Sequence, residues 1–243
     1  MLRAVLSDIH GNLEALEAVL ADVGRAGAAE ILCLGDYVGY GASPNECLDR
    51  LRPILAAAVA GNHDMAAVGR LQLGGFSSHA GQAARWTGGV LTPENRSWLE
   101  ALPLAVRHGG ALLVHASPIE PEAWHYVLSV PEARLEFDAF PEGLCLIGHS
   151  HYPGAFRLDP ATGATEYGRE PEVRLEPGCR YIVNVPGVGQ PRDGDPRTGY
   201  LLWDDAQGWV RQVRLDYDIA AARQRILDSG LPRFLGDRLQ WGE

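Results

Sequence analysis

The 243-residue sequence has no Cys-x-x-Cys pair; its four cysteines, Cys33, Cys47, Cys145 and Cys179, are scattered along the chain. That scatter excludes a thiolate metal cluster and a disulfide framework as the organising device. Cys33 and Cys145 fall inside apolar, strand-like runs, where a free buried thiol is the expected state. No apolar run approaches the ~20 residues of a membrane-spanning helix, and the opening MLRAVLSDIHG is too short an apolar stretch for a signal peptide. A cytoplasmic location, with no membrane partner, is the expectation. Clustered basic residues are also missing, and the formal net charge is -10. Such a chain repels polyanions, so no extended nucleic acid is expected as a partner. Any phosphate it binds must meet locally placed positive charge or a metal. Repeats and low-complexity tracts are absent, and 46% apolar with 21% charged residues excludes a disordered chain.

What is present is an alternation of periods. The first half reads as strands joined by helices: LRAVLS, then Leu13, Leu16, Val19, Leu20 and Val23 at helical spacing, then EILCLGD, a helix over 45–51 and the strand-like ILAAAVAGNHD. A helical stretch follows over about 65–102. Its last helix is marked by Thr92 as N-cap, Pro93 at the first position and Pro103 beyond the end. From Ala111 the texture becomes hairpin-like, with ALLVHASP, LCLIGHSH, GAFRLD, EVRLE, YIVNV, GYLLWD and WVRQVRLDY as strands. A short helix over 219–227 and a polar tail close the chain. We expect a mixed α/β architecture in one domain over 1–243, with the helical insertion at about 65–102 and an irregular one at about 118–143.

The residue types that bind metals fall where strands end. Asp8 and His10 follow the first strand, Asp36 the second, and Asn62, His63 and Asp64 the third. His115 ends the ALLVHA strand, and His149 and His151 follow LCLIG. In an open α/β sheet, carboxyl ends of parallel strands face one crevice, so these distant segments can converge. In extended backbone, residues two apart point the same way, which would aim Asp8 and His10 at one cation. Gly148 is expected to free the backbone for the turn that carries His149 and His151. Carboxylate, imidazole and amide donors without thiolate suit Mn²⁺, Fe, Zn²⁺, Co²⁺ or Ni²⁺. The inventory is too large for one tetrahedral ion and fits two ions sharing a carboxylate. His79, His108 and His125 have no comparable setting.

The segments SDIHGN, GDYVGYG, GNHD, VHASP and GHSH stand in the order they have in the calcineurin-like metallophosphoesterase superfamily. The chain resembles its bacterial phosphodiesterase-like branch most, and GQPRDGDPR extends the likeness into the last third. The resemblance implies a four-layer α/β/β/α sandwich of two mixed sheets. It also implies two divalent metal ions: Asp8, His10 and His151 on one, Asn62, His115 and His149 on the other, Asp36 bridging, and His63 facing the phosphate as catalytic acid. The implied activity is hydrolysis of phosphodiesters or small phosphomonoesters by a bridging hydroxide between ions about 3.5–4 Å apart. Protein phosphatase and dinucleoside polyphosphate hydrolase activities are alternatives, and a non-catalytic scaffold is a third. In the protein phosphatases, Asp-Arg stands where this chain has Gly39 and Tyr40; the Asp orients the acid histidine and the Arg grips phosphate. Arg192 or Arg197 is the candidate replacement for that arginine, against the plainer reading of a turn tied to Asp193 and Asp195.

Overall fold

The computed structural model describes residues 1–243. In chain order it contains β1 (Leu2–Leu6), α1 (Leu13–Ala26), β2 (Glu30–Cys33), α2 (Pro44–Leu51), β3 (Leu55–Ala58), α3 (Asn62–Ala67), α4 (Ser78–Val90) and α5 (Pro93–Ala101). Then come β4 (Ala105–His108), β5 (Ala111–Val114), α6 (Val130–Glu136), β6 (Leu144–Ile147), β7 (Gly154–Leu158), β8 (Thr165–Gly168) and β9 (Glu172–Arg174). β10 (Arg180–Asn184), β11 (Thr198–Asp204), β12 (Trp209–Leu215), α7 (Ile219–Asp228) and α8 (Arg233–Asp237) complete it.

The two-residue period of the strands sets the layers. Successive side chains on a strand point to opposite faces. Ala4 and Leu6 of β1 and Cys33 of β2 therefore join the core formed with Leu16 and Val19 of α1 and Leu48 of α2. Their neighbours Val5 and Leu32 face the other way, into a core shared with Leu113, Leu144, Leu146 and Val183 of a second sheet. On β6 the alternation repeats: Cys145 and Ile147 leave that core and pack with Ala133 of α6 and Phe137 just after it. Helices, sheet, sheet and helix thus stack as the expected α/β/β/α sandwich. Cys33 and Cys145 are buried and free.

The first sheet runs β3-β2-β1-β11-β12-β9 and the second β4-β5-β6-β10-β7-β8. Both are mixed, and each contains one block of three parallel strands: β1, β2 and β3 in the first, β5, β6 and β10 in the second. Those blocks supply the strand ends that matter below. No helix is long and apolar enough to cross a membrane.

Several expectations need correction. The helical stretch after Met65 is three separate helices, α3, α4 and α5, with 68–77 outside α-helix. Thr92 does cap α5, its hydroxyl accepting the Asn95 N–H at 3.2 Å. The irregular insertion holds α6, which has a capping box between Ser129 and Glu132. Strands β4 and β8 went unread; both are sheet edges of four residues, too short and too exposed to show a clean alternation. The tail is polar only in part. Leu235 and Leu239 are buried with Ala83, Ala222 and Ile226 in a small separate core.

Candidate metal centre

Convergence at the strand ends depends on left-handed backbone. Asp8, His10, Asp36, His149 and His151 have φ of 54°, 49°, 54°, 63° and 59°. The expectation that Asp8 and His10 point together from extended backbone is therefore wrong in its cause. They do approach, His10 Nε2 lying 3.7 Å from Asp8 Oδ1, but through sharp turns after β1. Aspartate and histidine are among the few non-glycine residues that enter this region readily. Gly148 plays a different part from the one expected. Its own φ is not positive, yet a Cβ there would lie 1.9 Å from Ser7 Oγ and 2.7 Å from Asp8 Oδ2. It is the closeness of the β1 and β6 loops that demands glycine, while the turn itself is made by the histidines.

The donor atoms gather in overlapping groups. Asp8, His10 and His151 form one, and Asp36, His115 and His149 another, each with its ligand atoms within 4.8 Å of one another. His151 Nε2 stands 3.0 Å from Asp8 Oδ1, and His115 Nε2 stands 3.3 Å from Asp36 Oδ2. Asp36 Oδ2 also lies 3.7 Å from His10 Nε2, so this carboxylate sits between the groups. A further overlapping group joins His10, Asp36 and His63. All of these side chains are buried, and Asn62, the first residue of α3, is buried beside them.

Backbone carbonyls fix which imidazole nitrogen is free. A carbonyl can only accept, so Nδ1–H of His10 donates to Val38 O (3.2 Å) and that of His115 to Leu34 O (2.8 Å). Nδ1–H of His151 donates to Gln190 O. In its neutral form each leaves Nε2 with a lone pair aimed into the cluster, the arrangement that outer hydrogen bonds impose on metal-binding histidines. His10 Nε2 and His151 Nε2 consequently face each other at 3.2 Å with no hydrogen between them. Two lone pairs in that position repel unless a cation lies between them. Asp8 Oδ1, Asn62 Oδ1 and His115 Nε2 are buried without a hydrogen-bond partner, whereas buried polar atoms are ordinarily paired. The residues present therefore fit a divalent cation.

The electrostatics agree. Burial pushes the Asp8 carboxyl upward, but His151, His115 and His10 override it and hold it well below the carboxylate range. Asp36 is treated the same way, burial opposing and His115 and His63 winning. Burial moves His149 down to about 3 and His63 to about 4, and it lowers His10 and His151 as well. At neutral pH these carboxylates are ionised and these imidazoles neutral, the forms that bind metal. His115 is the exception: burial lowers it, but Asp36 and Asp8 raise it to about 9. Two buried carboxylates draw positive charge to the place where they meet.

A cavity of about 580 Å³ opens beside the cluster, lined by Asp36, Asn62, His63, His149 and His151. Arg192 stands on its wall, donating to Gln190 Oε1 and to the Tyr40 hydroxyl. Arg197 does not reach the cavity; it pairs with Asp195 at 2.7 Å, as the plainer reading held. Gly39 lies against His63, where a Cβ would come within 2.5 Å of the imidazole Nδ1. There is no room for an aspartate at that position, and the Tyr40 ring packs on His63 instead, with centroids 4.4 Å apart. His79, His108 and His125 lie outside the cluster, stacked on Phe234, bonded to Glu30 and exposed near Glu120.

The sequence places Asp64 at a strand end without a role and leaves Gln190 and Arg238 unassigned. Asp64 accepts N–H groups from Asp36 (2.8 Å), Val38 (3.2 Å) and Gly61 (2.9 Å), tying the loop after β2 to the start of α3. Burial and the nearby Asp36 raise its carboxyl to about 8. Its place in GNHD, three residues beyond a glycine, was the available signal. Gln190 and Arg238 gave none. The former enters through β10, a sixth strand end, and the latter through the C-terminal turn.

Residues 1–187 match the family of calcineurin-like phosphoesterases. An uncharacterized protein of Methanocaldococcus jannaschii is 38% identical over 248 residues, covering 98% of this chain and 97% of its own. The crystal structure of a metallophosphoesterase from Sphaerobacter thermophilus superposes with a TM-score of 0.89 at 39% identity, covering 100% of this chain and 99% of that one. A hypothetical protein from Pyrococcus horikoshii shares the fold at 19% identity, with a TM-score of 0.78 and coverage of 100% and 98%. Matched along its length in this way, the chain belongs to the calcineurin-like phosphoesterase family and is a hydrolase of phosphoric esters.

Proposed function

We propose that the chain hydrolyses phosphodiesters or small phosphomonoesters with two divalent ions bound at the strand ends. Asp8, His10 and His151 would hold one ion, and Asn62, His115 and His149 the other, with Asp36 shared. The observation that carries this reading is the overlap of the two donor groups around Asp36. Bound there, such ions would polarise the phosphoryl oxygens and offset the negative charge that builds up during ester cleavage. Manganese is one candidate, since the donor set suits several ions. The polypeptide does the rest. His63, neutral at this burial, would take up a proton beside the ester's negative charge; with its Nδ1 side packed against Gly39, Nε2 is the nitrogen that would pass that proton to the leaving oxygen. Such a positioned acid accelerates a reaction by about 10²–10⁴-fold. Tyr40 and Phe76 pack on the His63 ring and fix its plane, and Arg192 supplies a guanidinium on the cavity wall.

Chelator-treated protein reloaded with Mn²⁺ should regain hydrolysis of bis-p-nitrophenyl phosphate. Asp36→Asn should lose nearly all of it, because one substitution weakens both groups at once. Retention of wild-type activity in Asp36→Asn would remove the shared-carboxylate assignment.

A further inference from the structure

Every basic Lys or Arg position in this chain is arginine: there are 21, and the sequence contains no lysine. Many of them are tied to carboxylates, as Arg197 is to Asp195 and Arg214 to Asp193. Two arginines on the cavity wall have no such partner. Arg192, on the loop after β10, bonds only the neutral Gln190 side chain (3.0 and 3.2 Å) and the Tyr40 hydroxyl (3.3 Å). Arg238 begins the last 3₁₀ turn, Arg238–Trp241, and lies over the Phe234 ring at 5.3 Å. Its Nε is buried with no hydrogen-bond partner. Both side chains line the same cavity as His63, His149 and His151. Burial and the neighbouring Arg192 charge hold Arg238 below its ordinary value. Half-buried like charges are retained where an anion fits between them, and arginine's planar fork suits phosphate or carboxylate oxygens.

We infer that Arg192 and Arg238 form a second anion site, selecting phosphoesters that carry a further anionic group beside the scissile phosphate. The inference rests on the phosphoesterase reading for the scissile group, and it extends that reading to the substrate class. The Tyr40 ring touches both groups: its centroid is 4.4 Å from that of His63, and the Arg192 guanidinium stands 5.6 Å from it. An ester with adjacent phosphates, such as a nucleoside bisphosphate, spans such a step; a simple monoanionic ester does not.

Two measurements test this. The first compares kcat/KM for thymidine 5′-(p-nitrophenyl phosphate) with and without a 3′-phosphate, so that leaving group and scissile bond stay the same. Wild type should favour the doubly phosphorylated ester by about ten- to hundredfold, the worth of a charge-assisted contact. Arg238→Gln should collapse that preference, and Arg238→Lys should restore part of it; melting temperatures identify a variant that has simply unfolded. The second is calorimetric binding of inorganic pyrophosphate to chelator-treated protein, which involves no turnover. Arg238→Gln should weaken it at least tenfold. A wild-type preference near one, or pyrophosphate binding unchanged in Arg238→Gln, overturns the second anion site. Failure of metal-loaded wild type to hydrolyse either ester overturns the phosphoesterase reading instead, and loss of pyrophosphate binding in the variant would still uphold the anion site.

Discussion

Asp64 shows how one side chain sets the geometry of several others. Its carboxyl oxygens accept three buried N–H groups from two segments that also carry Asp36, Asn62 and His63. Asp64→Asn keeps the shape but turns an N–H₂ group toward donors, leaving buried hydrogen bonds unmade. Each such loss costs about 1–3 kcal/mol. Chemical denaturation should show a loss of that order, and metal affinity should fall in parallel; unchanged stability and affinity would contradict the positioning role. The neighbouring residues also mark the limit of sequence reading at this scale. The identities of Asp8, His10, Asp36, His149 and His151 were legible because their donor chemistry recurs at strand ends. Their left-handed backbone was not, because even aspartate and histidine enter that region only as a minority and no neighbouring residue marks which of them do. Residues held in that region cost of order 1–3 kcal/mol each and persist where surrounding contacts fix them. Here His149 N–H donates to Asp8 Oδ2 and the imidazoles are anchored to carbonyls, which supplies those contacts.

Elements were readable in proportion to what they bury. The core strands β1, β5, β6 and β10 stood out as apolar runs, and α1 as a periodic one. Edge strands β4 and β8 and helix α6 were lost because few of their residues touch the core. α8 was lost for a related reason: five residues are too few to display a helical period, although Leu235 is only 1% exposed. That helix closes a small core against α4 and α7 and carries the chain on to Arg238. Leu235→Ala should destabilise the protein by about 2–5 kcal/mol, the range for a buried leucine cut to alanine. If the C-terminal turn positions a cavity arginine, the same variant should weaken pyrophosphate binding. A variant as stable as wild type would mean that the tail is dispensable to the fold.

At the scale of the molecule, one network ties the chain's start to the first sheet's central hairpin. The Met1 amino group and Arg3 both contact Asp205, just past β11, and Arg3 also contacts Glu30 beside it on β2. Hydrogen bonds from the Met1 amino group and from Arg3 lower the Asp205 carboxyl from 3.8 to about 2. A depressed carboxyl adds stability that is complete above its unfolded value and disappears as pH falls from about 4 to about 2. Denaturation followed between pH 5 and pH 2 should therefore show wild type losing more stability than Asp205→Asn. Equal slopes would show that the network contributes nothing through Asp205. The layered architecture itself could be read from the order of strands and helices, and the fold's motifs from five short segments. The pairing of strands across 200 residues, as in β1 with β11, has no local signal.

The central claim, that two ions sit in two donor groups around Asp36, is met most directly by counting metal. Elemental analysis of protein reloaded with Mn²⁺ and freed of excess should give two ions per chain in wild type. His149→Ala and His151→Ala should each lose one ion and retain the other. A single ion in wild type, or variants that both lose all metal equally, would contradict the account.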